Sequence, residues 1–307
     1  METLLYIIAR GLVAFLQSLS LTTVARLGRA GGGLAYWLDV RHRRAAVNGL
    51  KLVFGREKSA AEIRALAREN FKRLGENYCC AIKTASMTAE ELRPHCEFVG
   101  MEKLPPPDAD GKAPSVVVAI GHFGNFELYA RFGQYWPQFQ CATTYRALRE
   151  PSLNRLMQSL RERSGCLFFE RKSQGDALRA AMARRSIILG LLSDQRTIRG
   201  GVFIPFLGKE CSTTTAPAVF ALRYDCPLYT AICYRTGLAR WRVVLGEKIP
   251  THHSESARST EEIMRDVNEA FGEAVRRDPA NWFWVHNRWK LQAGKRNPAV
   301  KPTANVS

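Results

Sequence analysis

His122 stands in Gly121-His122-Phe123-Gly124-Asn125-Phe126-Glu127, a histidine between two glycines with a carboxylate five residues on. An imidazole changes charge near neutral pH, and a carboxylate beside it fixes its tautomer, so the two together suit general base catalysis on a hydroxyl. On a regular helix residues five apart sit about 140° apart, so the pair cannot share one helical face. The glycines remove the difficulty. They let residues 121–124 form a tight loop, with Asn125 capping the next helix and Glu127 in its first turn, where the helix dipole favours a carboxylate. A capped turn around a satisfied histidine fits the same residues. The sequence holds no G-x-S-x-G elbow and places no cysteine beside the histidine, so no covalent enzyme intermediate is expected.

The elements that must position this loop are legible from residue 41 on. Residues 41–87 read as helical, with a Ser59-x-x-Glu62 capping box, and Thr88-x-x-Glu91 opens a short helix. A proline-rich loop covers 104–114. Strand-like runs at 115–120, 166–169, 186–192, 227–234 and 241–245 then alternate with helical stretches at 125–136, 151–165, 173–185, 213–224 and 259–277. That alternation predicts an α/β fold, a central mixed sheet flanked by helices. The His122 loop follows the run SVVVAI, at the strand end where open α/β sheets bind ligands.

Composition narrows the partners. Among 307 residues, 45 Lys and Arg face 28 Asp and Glu, a net +17 that favours an anionic partner. No helix-turn-helix, zinc module or aromatic RNA-binding motif accompanies the charge, so no nucleic acid is expected. The eight cysteines include no C-x-x-C pair and read as reduced and mostly buried. His252-His253 has no third ligand nearby, so no metal is expected. Residues 4–25 are apolar but broken by Arg10 and Gln17, marginal for the roughly 20 residues of a spanning helix. No convincing cleavage site follows. With Arg41, His42, Arg43 and Arg44 downstream, residues 1–40 read as a membrane anchor that inserts or lies in the interface, the basic side in the cytoplasm; an amphipathic helix packed on the domain is the other reading. A catalytic domain at 41–290 and a disordered basic tail at 291–307 complete the layout.

Four stretches in order bring up a family. G-H-x-G-N-x-E after a strand is joined by Gly165-Cys166-Leu167-Phe168-Phe169-Glu170-Arg171, by Ser193-Asp194-Gln195 with Val202-Phe203-Ile204-Pro205-Phe206-Leu207-Gly208 and the run 212–215, and by Trp282-x-Trp284-x-His286-x-Arg288-Trp289-Lys290. Over residues 1–290 the chain resembles the bacterial lipid A late acyltransferases, within the wider glycerolipid acyltransferases. The resemblance implies transfer of a fatty acyl chain from acyl carrier protein, or coenzyme A, to a hydroxyl of a lipid A precursor at the cytoplasmic face of the bacterial inner membrane, with no cofactor. His122 is then the base and Glu127 the group that orients it. Arg171 first and Arg163 second are expected to hold a phosphate or sugar of the acceptor. Arg163 equally fits a solvated basic face with Arg155 and Arg161. Asp194 and Gln195 would bond acceptor hydroxyls, Asp194 alternatively pairing with an arginine, and Asn125 is counted with the substrate-binding groups. The tryptophans are expected in the core. Acyl carrier protein, an anionic glycolipid acceptor and the membrane would all be met by a basic surface. Two other readings stand: an acyltransferase of this fold acting on another glycolipid, a phospholipid or an aminolipid, and a catalytically silent lipid-binding membrane protein.

Overall fold

Apolar runs such as Val-Val-Val-Ala-Ile, with no polar alternation, must be covered on both faces. The computed structural model describes residues 2–198 and 200–290; the tail expected at 291–307 lies outside the described residues. In chain order the elements are α1 (Glu2–Ser18), α2 (Leu21–Leu38), α3 (Val40–Phe54), α4 (Ala60–Thr84), α5 (Ala89–Leu92), β1 (Cys96–Val99), β2 (Val116–Ile120), a 3-10 helix (Phe126–Gln134), β3 (Gln140–Tyr145), α6 (Pro151–Glu162), β4 (Leu167–Glu170), α7 (Gly175–Met182), β5 (Ile187–Leu192), β6 (Gly201–Phe206), β7 (Lys209–Thr214), α8 (Ala216–Arg223), β8 (Leu228–Gly237), β9 (Arg240–Ile249) and α9 (Thr260–Arg277). Seven strands form one mixed sheet in the order β1-β9-β8-β2-β5-β3-β4. Neighbours run parallel except the antiparallel pair β8–β9.

The two faces of the sheet carry different cores. Val117, Ala119, Leu189 and Leu191 pack with Ala218 and Ala221 of α8 and with Ile263, Val267 and Phe271 of α9. Val116, Val118, Ile120 and Ile188 point the other way, toward Phe132 and Phe139. The period of two that alternates side chains along a strand thus sorts one residue set to each face.

Where the structure departs from the sequence reading, local chemistry explains it. The helix expected from 213 begins at Ala216; Thr213 and Thr214 end β7, which pairs with β6 as an antiparallel hairpin. β-Branched threonines favour the pleated state, and Pro217 fits the first turn of a helix, where a missing N–H costs nothing. The short β1 and the polar β3 (Gln-Cys-Ala-Thr-Thr-Tyr) are strands that the sequence pattern does not mark, because neither has a long apolar run. No helix among the described residues is long and apolar enough to cross a membrane, which leaves the expected spanning form of the anchor without a segment to carry it.

α2 lies along α4 at backbone contact. A Cβ on Gly28 would meet the Gly75 carbonyl oxygen at 2.5 Å, one on Gly32 the Phe71 oxygen at 2.1 Å, and one on Gly75 the Gly28 oxygen at 2.1 Å. Only hydrogen fits at these three positions, and the obstacle is backbone on both sides. Gly32→Ala or Gly75→Ala is therefore expected to force the helices apart, lowering stability by about 1–3 kcal/mol. Thermal denaturation checks it; an unchanged melting temperature would show that the seam gives way freely.

Candidate active site

β2 and β5 pair in parallel with Ile120 opposite Leu192. Two residues beyond that pair the chains carry His122 and Asp194, which the shared register delivers side by side at the C-terminal edge of the sheet. The backbone N–H of Ser193 still bonds the Ile120 oxygen at 3.0 Å, so the register holds past the strand ends. His122 Nδ1 lies 2.8 Å from Asp194 Oδ1, and the His122 backbone N–H donates to Asp194 Oδ2 at 2.8 Å. Trp282 Nε1 donates to the same Oδ2 at 2.8 Å. A carboxylate only accepts, so Nδ1 carries the proton and Nε2 is left with a lone pair. Both oxygens of Asp194 are engaged and its side chain is buried.

Burial alone would raise the pKa of Asp194. The adjacent imidazole, which can hold positive charge, together with the hydrogen bonds from its ring, its N–H and Trp282, outweighs burial and keeps the carboxyl below its ordinary value. The expected partner of His122 therefore changes. Glu127 lies in the first turn of the 3-10 helix as read, but its carboxylate is held by Arg161, at 2.6 Å from Nη2 and 3.1 Å from Nε. Arg161 in turn sits 4.9 Å over the Phe168 ring. The reason is geometric: the register of β2 on β5 brings a different acid to Nδ1, while Glu127 pairs with an arginine of α6.

The glycines act as expected of a tight loop, with an added reason for each. Gly124 has φ +52, and a Cβ there would meet the Cys233 oxygen at 2.5 Å; a Cβ on Gly121 would strike the Phe123 ring at 2.6 Å and come within 3.3 Å of Asp194 Cγ. The Gly124 N–H is fastened to the Asn281 oxygen at 3.1 Å. Asn125 does not cap the helix: its side chain makes no capping bond, and both amide atoms are buried with no partner among the described residues.

His122 and Glu127 line one cavity of about 1390 Å³, which also reaches Asn125, Gln195 and Arg171 and is mostly apolar. Its far wall is α6, none of whose residues is buried in the core. Leu153, Leu156, Met157 and Leu160 form an apolar stripe at helical spacing that faces the cavity instead. Arg146, Arg171, Lys172 and Arg196 also line it. Arg163 does not: it is exposed and reaches the Ser86 oxygen at 3.4 Å, because it falls one residue past the end of α6. Asp194 likewise turns to the imidazole, not to a substrate hydroxyl or an arginine.

The C-terminal aromatic stretch, expected in the core, also supports the site. Trp282 and Trp284 are buried, and Trp282 bridges by its backbone to Phe123. Its link to Asp194 was missed in the sequence reading, which had no signal that a strand-like tryptophan pointed its N–H at an acid. Nearby, burial pushes His286 down to about 4, against the pull of Asp194. A base whose pKa is depressed in the fold takes its proton more readily unfolded, so acid favours unfolding from the ordinary 6.5 down to about 4. Asp194 is shifted down as well, and its loss has the same sense: its contribution is full above the ordinary carboxylate range and disappears as pH falls through its lowered value. His286→Gln is expected to flatten the fall in melting temperature between pH 6.5 and 4 while leaving the loss at lower pH; equal slopes in the two proteins would contradict it.

No curated protein matches the chain. Residues 2–291 match the family described as bacterial lipid A biosynthesis acyltransferase, from the first helix to the end of the tryptophan stretch, and the chain belongs to that family.

Proposed function

We propose that the protein transfers a fatty acyl chain from a thioester on acyl carrier protein to a hydroxyl of an anionic lipid A precursor, at the cytoplasmic face of the bacterial inner membrane and without a cofactor. One observation supports the chemistry most: an imidazole whose Nδ1 is fixed at 2.8 Å by a buried carboxylate lines a large apolar cavity. In the step, Nε2 removes the acceptor proton as its oxygen attacks the thioester carbonyl. The tetrahedral intermediate collapses with cleavage of the C–S bond, and the imidazolium returns the proton to the departing thiolate. Asp194 stays ionised throughout and stabilises the imidazolium, as the acid of a hydrolase triad does. Gln195 and Asn125 supply polar groups beside the base, and Arg171, with Arg146, Lys172 and Arg196, offers guanidinium and ammonium donors to acceptor phosphates. Glu127 then acts on the cavity wall, through Arg161.

The membrane reading takes an interfacial form. Leu4, Leu5, Ile7, Ile8, Leu12 and Phe15 of α1 are exposed, and Leu34, Trp37 and Leu38 of α2 continue the apolar surface. Arg10, Arg41 and Arg44 are exposed as well. Apolar side chains flanked by arginines suit the headgroup boundary of an anionic bilayer.

Three expectations test this. His122→Ala abolishes acyl transfer, and retained turnover would remove the base. Asp194→Asn lowers kcat by about 10²- to 10⁴-fold, whereas Glu127→Gln raises KM for the donor more than it lowers kcat; the reverse ranking would restore Glu127 as the orienting acid. Ile8→Glu with Leu12→Glu weakens binding to anionic vesicles at least about tenfold, since each burial is worth about 1.5–3 kcal/mol, and unaltered binding would refute interfacial attachment. Point changes are preferable to removing residues 1–25, because Leu16, Leu21, Val24 and Ala25 are buried against the domain.

A further inference from the structure

The parallel register divides the cavity face of the sheet into rows. Level with Ile120 stand Ala231 and Leu192. One row further from His122, Val118 stands opposite Gly190, and Gly190 opposite Thr143. The row beyond holds Ile188 and Cys141. Along β5 the sequence is Ile-Ile-Leu-Gly-Leu-Leu, so a single position in an apolar strand lacks a side chain. A glycine inside a strand weakens it and marks a place where something approaches the backbone closely.

The backbone of β5 is not what requires it. Gly190 has no positive φ, and a Cβ there would meet only the end of the Ile120 side chain at 3.3 Å and the Ala142 oxygen at 3.9 Å. Beyond that contact the Cβ would point into the cavity, which Gly190 lines and to which it is partly exposed while Ile188, Leu189 and Leu191 are buried. The missing side chain is the passage between the row nearest His122 and the row of Ile188 and Cys141.

We propose that Gly190 is the length determinant for the transferred acyl chain: the chain runs from the thioester at His122 along β2 and β5, and its far end crosses Gly190 into the space over Ile188 and Cys141. This rests on the acyl-transfer reading above. Four residues of strand separate Asp194 from Gly190, about 13 Å at ~3.3 Å per residue, which an extended alkyl chain covers in on the order of ten carbons at ~1.3 Å each. Chains longer than that need the gap.

The test compares saturated acyl donors of graded length on one carrier, with one acceptor, for the full chain and four variants. Gly190→Ala and Gly190→Val are expected to shift the preferred length down, the valine by about five carbons, the two strand residues from Gly190 to Ile188. For donors that no longer fit, kcat/KM falls about tenfold or more per excess methylene, while the short donors stay within about twofold. Ile188→Ala, which deepens the far row, is expected to shift the optimum up. Equal loss at every length in Gly190→Val, with no shift in Gly190→Ala or Ile188→Ala, would overturn the proposal. His122→Ala is the separate control: turnover surviving in that variant defeats the acyl-transfer reading itself, whatever the length profile shows. Displacement of a fluorescent fatty acid by unlabelled acids of graded length reads the same ranking without turnover and keeps the test decisive where a variant loses activity.

Discussion

A carboxylate with almost no exposed surface must be compensated from inside the protein, because its desolvation is costly and removing one of its partners leaves a buried charge unmatched. Asp194 meets that demand with three donors from two distant parts of the chain: the ring and N–H of His122, and the indole of Trp282. Much of the remaining architecture serves to bring these together. Asn70 of α4 donates to the oxygens of Ala280 and Trp282, Arg73 makes two bonds to Asp278, and Asn281 holds the Cys233 oxygen of β8 while accepting the Gly124 N–H. The C-terminal segment is thereby tied to α4, to the sheet and to the histidine loop at once. The loop cannot move without disturbing the compensation of a buried charge, and this fixes the imidazole more rigidly than the loop's own turn could.

The sheet separates support from cavity. Its odd-numbered face on β2 and β5 is sealed by α8, α9 and the tryptophans, while the even-numbered face opens on the cavity. α6 closes the opening with an apolar stripe but buries nothing in the core, so its place depends on few contacts, Arg161 with Glu127 among them. Both partners of that ion pair keep some solvent access, and such pairs hold geometry more than they add stability. Its natural role is to seat a wall, and the imidazole is served elsewhere.

Much of this was readable before the structure. SVVVAI as a buried strand, the glycine loop at its end, the capping boxes at Ser59 and Thr88 and the alternation of elements all rest on local chemistry, and local chemistry is what a sequence displays. The acid on Nδ1 was not readable in that way. Glu127 is five residues from His122 and Asp194 seventy-two, and proximity in sequence favoured the wrong one. A signal did exist: both motifs begin one residue past an apolar strand, and parallel neighbours in register would align their second residues. Choosing it required knowing that β2 and β5 are adjacent, a long-range fact. Arg163 failed for the opposite reason, since one residue at a helix end decides which way a side chain faces. The strands β1 and β3 escaped notice because β1 is a four-residue edge strand and β3 is polar along much of its length, so both leave a weak apolar pattern.

α1 has two apolar sides with different surroundings. Ala9 and Val13 line the cavity, and Leu5, Ile8 and Leu12 face outward. For a lipid acceptor this arrangement matters, since an acyl chain that left a bilayer and crossed water to reach a buried site would expose its methylenes at about 0.8 kcal/mol each. In the interfacial seat proposed for α1, one helix diameter of about 10 Å separates the two apolar environments. The cationic groups that line the cavity, Arg146, Arg171, Lys172 and Arg196, suit the headgroup end of the anionic acceptor proposed above, with α1 and α6 offering apolar surface to its tail. On the proposed reading, the +17 charge of the chain answers to geometry as well as to partner choice: a site entered from an anionic surface needs positive charge at its entrance and apolar surface behind it.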